Sequence, residues 1–129
     1  MARIITVDDQ ASVRAILRRL LEREGHLVFE ASDGRVLMDM LDGDVDLIIT
    51  DMLMPEVDGI EVIRHVKGRY PAIPVLVVTG GWSNEKIDLR DVARGLGADR
   101  ALCKSEINTH LINTVAELLI SRRRPVSTC

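Results

Sequence analysis

Short apolar runs alternate with stretches of helical periodicity along the whole chain. Arg3–Val7 reads as a short buried strand. Val13, Ile16, Leu17, Leu20 and Leu21 then fall at helical spacing, and Gly25 is a natural stop. Leu27–Ala31 is a second strand. Asp33-Gly34 makes a turn into a helical stretch carrying Val36, Leu37, Met40 and Leu41, which ends in Asp42-Gly43-Asp44. Asp46–Thr50 is a third strand, continuously aliphatic at Leu47-Ile48-Ile49.

Pro55-Glu56-Val57-Asp58-Gly59 is loop chemistry. Ile60, Ile63 and Val66 mark a helix that ends before Pro71, and Pro74–Val78 is the fourth strand. Gly80-Gly81 breaks that strand, and Ser83 or Asn84 is a candidate cap for the next helix, whose inner face is Leu89, Val92, Ala93 and Leu96. Gly95 and Gly97 end it. Arg100–Cys103 is a short fifth strand, and Ile107, Leu111, Val115, Leu118 and Leu119 line the last helix.

The pattern is (βα)5, an α/β chain with no linker, repeat or low-complexity segment. Strands with apolar centres between helices imply a parallel sheet covered on both faces. Right-handed crossovers make an open doubly wound sheet the expected architecture, and five strands are too few for an eight-stranded barrel. In such sheets the functional site lies at the C-terminal ends of the strands.

Composition narrows the function classes. With 129 residues the chain fits one domain. Phe29, Tyr70 and Trp82 are the only aromatics, so the core must be aliphatic and no base-stacking nucleic-acid platform is expected. The net charge of −3 gives no general attraction to nucleic acid. The one basic run, Arg122-Arg123-Arg124, reads as a helix end complementing its dipole, with a binding tail as the other reading. The longest apolar run is Val75–Val78, whereas a membrane span needs about 20 residues. Asp8 comes too early for a secretory signal. Cys103 and Cys129 make no disulfide framework, and a reducing, cytoplasmic location is expected. Cys103 reads as a small core residue and Cys129 as exposed. His26, His65 and His110 have no metal-ligand spacing and read as surface or core-edge residues.

The strand ends carry the chemistry. The first strand ends in Asp8-Asp9, the third in Asp51, the fourth in Thr79, and the fifth runs into Lys104. Three carboxylates at one edge repel each other and invite a hard divalent cation such as Mg2+, with Mn2+ as the alternative. Lys104 can offset charge and reach an incoming phosphate. Thr79 supplies a neutral donor, and Gly80 and Gly81 leave the backbone free to approach an anion. The set suits phosphoryl transfer to a carboxylate. Any one Asp at a strand end is more often a turn or cap residue; it is the convergence of all five positions that points to a site. No phosphate-cradling Walker loop, dinucleotide glycine fingerprint or Gly-x-Ser-x-Gly elbow is present.

The chain resembles the receiver domain of bacterial two-component response regulators, in the stand-alone form of a chemotaxis regulator. The motifs that carry the resemblance are Val7-Asp8-Asp9, Thr50-Asp51-Met52-Leu53-Met54-Pro55-Glu56-Val57-Asp58-Gly59, Val78-Thr79-Gly80, Gly97-Ala98-Asp99 and Lys104, over Arg3 to about Arg122. The resemblance implies a flavodoxin-like sheet of order 2-1-3-4-5. It implies phosphotransfer from a sensor kinase phosphohistidine, or from a phosphotransfer protein, to Asp51. It also implies Mg2+ bound by Asp9, Asp51 and the Leu53 carbonyl, with Asp8 acting through water. Lys104, the Thr79 hydroxyl and the Gly80 amide would hold the phosphoryl group. Such a protein catalyses its own phosphorylation and autodephosphorylation, and no external substrate is expected. A phosphatase would need a second carboxylate two residues after the nucleophile, where Leu53 stands.

Two positions depart from the family pattern. The usual Tyr or Phe of the fifth strand is Ala101, so the usual aromatic reporter of phosphorylation is missing. The usual Lys-Pro is Lys104-Ser105, for which a trans bond is expected because a non-proline cis bond costs about 2.5–4 kcal/mol; Ser105 is then available to cap the last helix. Trp82, three residues after Thr79, is either a ring covering the start of the fourth helix or part of the output. On the first helix, Leu17 and Leu21 are expected to face the sheet. Val13, Ile16 and Leu20 are either a kinase-docking patch or further core.

The expected domain runs over residues 1–124 with a short tail at 125–129. DNA binding in cis is not expected, and signalling would pass through contacts with a downstream protein the sequence does not name. Three readings stay open: a stand-alone phosphoacceptor, a receiver excised from a larger kinase or transcription factor, and a phosphorylation-independent interaction module.

Overall fold

The computed structural model describes residues 1–54, 57–80 and 88–123. Pro55, Glu56, Gly81, Trp82, Ser83, Asn84, Arg124 and Cys129, and the expectations attached to them, lie outside the described residues.

Five strands, β1 (Arg3–Val7), β2 (Leu27–Ala31), β3 (Leu47–Thr50), β4 (Val75–Thr79) and β5 (Arg100–Cys103), form one parallel sheet in the order β2-β1-β3-β4-β5. Every pairing is parallel. The helices between them are α1 (Ala11–Arg23), α2 (Gly34–Met40), α3 (Gly59–Arg69), α4 (Leu89–Gly95) and α5 (Ile107–Arg123), with a single 3-10 turn at Lys104–Glu106 before α5. The strand order expected from the family resemblance is the one observed. The reversal of direction at β1 and β3 opens a crevice at their C-terminal ends.

The sheet divides the core in two. Ile5, Val7, Ile48, Val75 and Val77 face α2, α3 and α4, where Leu37, Val62, Ile63, Val66 and Ala93 meet them. Ile4, Leu47, Ile49, Leu76 and Val78 face α1 and α5, where Leu17, Leu21, Leu111 and Val115 close the other layer. Alternation along β1, β3 and β4 therefore fills both faces, which is why β3 and β4 read as continuous aliphatic runs up to their last residue, while β1 is interrupted by the buried Thr6. Leu17 and Leu21 are buried as expected, while Val13 and Leu20 only flank the core and Ile16 is 47% exposed.

Several local expectations change. The described α4 begins at Leu89, where the Asp88 side chain accepts the Arg90 N–H at 2.9 Å. Ser105 does not cap α5: it lies inside the 3-10 turn, which the Glu106 carboxylate closes by accepting the Cys103 N–H at 2.8 Å. No cis peptide bond occurs among the described residues, so Lys104–Ser105 is trans as expected. Cys103 is half-exposed rather than core, because it ends the edge strand. Arg122, in the last turn of α5, pairs with Asp46 Oδ1 at 2.6 Å and ties that helix to the start of β3.

Candidate functional site

Asp8 and Asp51 each stand one residue beyond a strand, on neighbouring strands, and both are held by continuation of the sheet ladder. The Asp8 N–H donates to the Ala31 carbonyl at 3.2 Å and the Asp51 N–H to the Val7 carbonyl at 3.0 Å. That fixes two buried carboxylates side by side, 2% and 6% exposed, with Asp9 exposed beside them. Asp8, Asp9 and Asp51 each present an oxygen within 4.8 Å of the others.

Gly59, at the start of α3, lies close under Asp51. The Gly59 N–H donates to the Met52 carbonyl at 3.0 Å. A Cβ at Gly59 would stand 2.3 Å from the Asp51 carbonyl oxygen and 2.7 Å from Met52 Cα, so only glycine fits there. Asp58 caps α3 by accepting the Glu61 N–H at 3.2 Å. The glycine that reads as loop chemistry in the sequence is thus a close-approach residue of the site.

Both Asp51 carboxylate oxygens have donors. Oδ1 accepts the Met52 N–H at 2.7 Å. Oδ2 accepts from Lys104 Nζ at 2.9 Å. Lys104 reaches across the end of β4 from the start of the 3-10 turn, and its ammonium also lies 3.3 Å from Asp8 Oδ2. One cation therefore serves two buried carboxylates, and a third carboxylate has no share of it. The electrostatics follow. Burial pushes the Asp8 carboxyl up, assisted by the Asp51 charge and opposed by the Gln10 N–H and Lys104. Burial works against the Lys104 ammonium, but the hydrogen bond to Asp51 and the charges of Asp51 and Asp8 outweigh it and hold the group above its ordinary value.

Thr79 ends β4, 1% exposed, opposite Cys103 of β5. Gly80 follows it in the open: a Cβ there would meet nothing within 4 Å, so the fold itself does not require glycine at that position. Leu53, two residues after Asp51, is 63% exposed. Ala101 is buried in the inner core layer beside Val77, its partner in the ladder.

Sequence reasoning assembled the acidic edge but missed its neighbours. Gln10 Oε1 accepts from Lys104 Nζ at 2.9 Å. Arg14 donates from one guanidinium nitrogen to the Asp8 carbonyl at 2.5 Å and from Nε to Glu30 at 3.1 Å. Arg90 pairs with Asp88 at 2.8 Å and with Glu106 at 3.2 Å, joining α4 to the turn that carries Lys104. The position of Gln10, directly after Asp8-Asp9, was the one available signal among these; the other contacts join residues that only the fold brings together.

This fold, with an acidic crevice at the β1 and β3 ends and a lysine beside it, defines a signal-transduction module. The chain belongs to the response regulator receiver domain family, whose model matches residues 4–116. It is 35% identical over 118 residues to the response regulator MprA of Mycolicibacterium vanbaalenii, covering 91% of this chain and 50% of the relative. It is 33% identical over 119 residues to the transcriptional regulatory protein CpxR of Escherichia coli K12, covering 92% and 50%. The chain thus spans about half the length of the curated relatives it matches. Among solved structures, a response regulator receiver domain protein from Clostridium thermocellum superposes with a TM-score of 0.83 at 26% identity, covering 95% of this chain and 97% of that one. The response regulator TrrA from Thermotoga maritima, in complex with Mg2+ and BeF, gives 0.78 at 28% identity, covering 92% and 99%. No helix among the described residues is long and apolar enough to cross a membrane.

Proposed function

We propose that Asp51 is the phosphoacceptor of this receiver domain. The observation that carries the reading is the surplus of negative charge: three clustered carboxylates with one shared ammonium. An all-oxygen set of that kind fits a hard divalent cation such as Mg2+ or Mn2+; as the family resemblance implies, Asp9, Asp51 and the Leu53 carbonyl would hold it and Asp8 would act through water. Mg2+, when bound, neutralises charge on the carboxylates and on the phosphoryl oxygens.

The protein's own groups do the rest. An Asp51 carboxylate oxygen attacks the phosphorus of a phosphohistidine on a sensor kinase or phosphotransfer protein. The P–N bond breaks, and its electron pair stays on the imidazole nitrogen. Lys104, already 2.9 Å from Asp51, would follow the charge onto a phosphoryl oxygen, and the Thr79 hydroxyl and Gly80 amide would donate to the others. In autodephosphorylation, water attacks the same phosphorus and the acyl P–O bond breaks. The products are inorganic phosphate and the Asp51 carboxylate.

The phosphodonor would dock beside the site on α1, where exposed Ile16 and half-buried Leu20 border a groove of about 400 Å³ against Asn108 of α5. Output would pass to a downstream protein without an aromatic ring at position 101, because Ala101 offers only a buried methyl group.

The test is acetyl phosphate labelling read by intact mass. The wild type should gain one phosphoryl group in the presence of Mg2+, and Asp51→Asn should gain none. An unlabelled wild type would favour a phosphorylation-independent interaction module. Turnover of external phosphoesters would favour a phosphatase.

A further inference from the structure

Gln10 occupies the N-cap position of α1, where a short oxygen-bearing side chain normally accepts an amide of the first turn. Its side chain makes no such bond. The Val13 N–H, which such a side chain could take, goes to the Gln10 carbonyl at 3.1 Å, beside the ordinary helical bond from the Arg14 N–H at 3.2 Å. Asp8 Oδ1 accepts the Gln10 N–H at 2.8 Å and fixes the backbone. The amide side chain is therefore released from its own helix, and it reaches Lys104, 94 residues away in sequence.

An ammonium has three protons to place. Lys104 Nζ has three acceptors: Asp51 Oδ2 at 2.9 Å, Gln10 Oε1 at 2.9 Å and Asp8 Oδ2 at 3.3 Å. Two of these are carboxylates of the acidic edge, which a cation and a phosphoryl group would engage. Gln10 is the one acceptor of the three that is neutral and outside that set. Its hold on the ammonium can persist while the other two partners change. Being uncharged, it steadies Lys104 without competing for it as a further carboxylate would.

We propose that Gln10 is a positioning residue for Lys104: its side-chain oxygen keeps the ammonium over Asp51 and so sets the rate at which Asp51 accepts a phosphoryl group. The proposal rests on the reading of Asp51 as phosphoacceptor and adds to it a residue that touches neither the phosphoryl group nor the cation.

The experiment compares the rate constant for acetyl phosphate labelling of the wild type, Gln10→Met, Lys104→Ala and the double variant. Methionine keeps the length of the side chain and removes the acceptor. The rate should fall about five- to tenfold in Gln10→Met, the scale of one hydrogen bond to a charged group at a partly exposed site, with no change in melting temperature. In the Lys104→Ala background the same substitution should have no further effect. If Lys104→Ala labels too slowly to be timed, the 1H–15N signal of the Lys104 ammonium reads the contact directly and should shift in Gln10→Met. An unchanged rate in Gln10→Met, an equal loss in both backgrounds or an unmoved ammonium signal would overturn the proposal while leaving Asp51 as phosphoacceptor. A wild type that takes no phosphoryl group on Asp51 would overturn both.

Discussion

Two clusters of charge lie a few residues apart, and the carboxylate behaves oppositely in each. At Glu30 of β2, one carboxylate sits between two guanidiniums of α1, Arg18 Nε at 2.6 Å and Arg14 Nε at 3.1 Å. The Arg18 hydrogen bond, with Arg14 behind it, holds the Glu30 carboxyl below its ordinary range. At the acidic edge three carboxylates surround one ammonium, and burial pushes Asp8 above its ordinary range. With Glu22, which pairs with Arg18 at 3.4 Å, the first cluster has two carboxylates for two guanidiniums; it is balanced and joins a helix to a strand. The second is short of positive charge at a place the fold has buried. Structural ion pairs complete their own electrostatics; a site built for a charged ligand leaves the balance open. Arg14 touches both clusters, through the Glu30 carboxylate and the Asp8 carbonyl, so the balanced pair also braces the unbalanced one.

Neutralising one group in each cluster should therefore move stability in opposite directions. Asp8→Asn keeps an oxygen for the Gln10 N–H and relieves repulsion, and it should stabilise the metal-free protein by about 1–2 kcal/mol in urea denaturation. A loss of stability would mean that the pairing with Lys104 outweighs the repulsion. Glu30→Gln should destabilise by less than about 1 kcal/mol, because the pair is partly exposed and screened by solvent.

The smallest effect is a slope. A carboxyl whose folded value is depressed stabilises the fold above its unfolded value, here about 4.5, and loses that contribution as pH falls through the folded value. Acid titration of stability should therefore be shallower in Glu30→Gln than in the wild type below that pH. Identical slopes would remove Glu30 from the balanced cluster.

Much of this was legible in the residues. Strict alternation of aliphatic runs and helical periodicity gave the (βα)5 architecture, and the strand-end rule brought Asp8, Asp9, Asp51 and Lys104 to one edge before any coordinates. What was not legible depends on distance in sequence. Nothing local says that Gln10 will leave its own helix for Lys104, or that Arg90 will meet Glu106. Ser105 reads as a cap because serine usually is one, yet the chain makes a 3-10 turn over Lys104–Glu106 before α5 and Ser105 lies inside it. Cys103 reads as core because its strand is apolar, but β5 is the sheet edge and its last residue is half-exposed. Gly59 reads as loop chemistry, whereas backbone crowding by Asp51 and Met52 is what demands it.

The open charge balance at the acidic edge is tested most directly by titrating Mg2+ against melting temperature in the wild type, Asp9→Asn and Glu30→Gln. A cation that binds only the folded state stabilises it by about 2.7 kcal/mol at a hundredfold excess over its Kd. The wild type and Glu30→Gln should show the same saturable rise, and Asp9→Asn should lose most of it. A wild type that does not respond, or an equal rise in Asp9→Asn, would contradict the assignment of the acidic edge as a cation site.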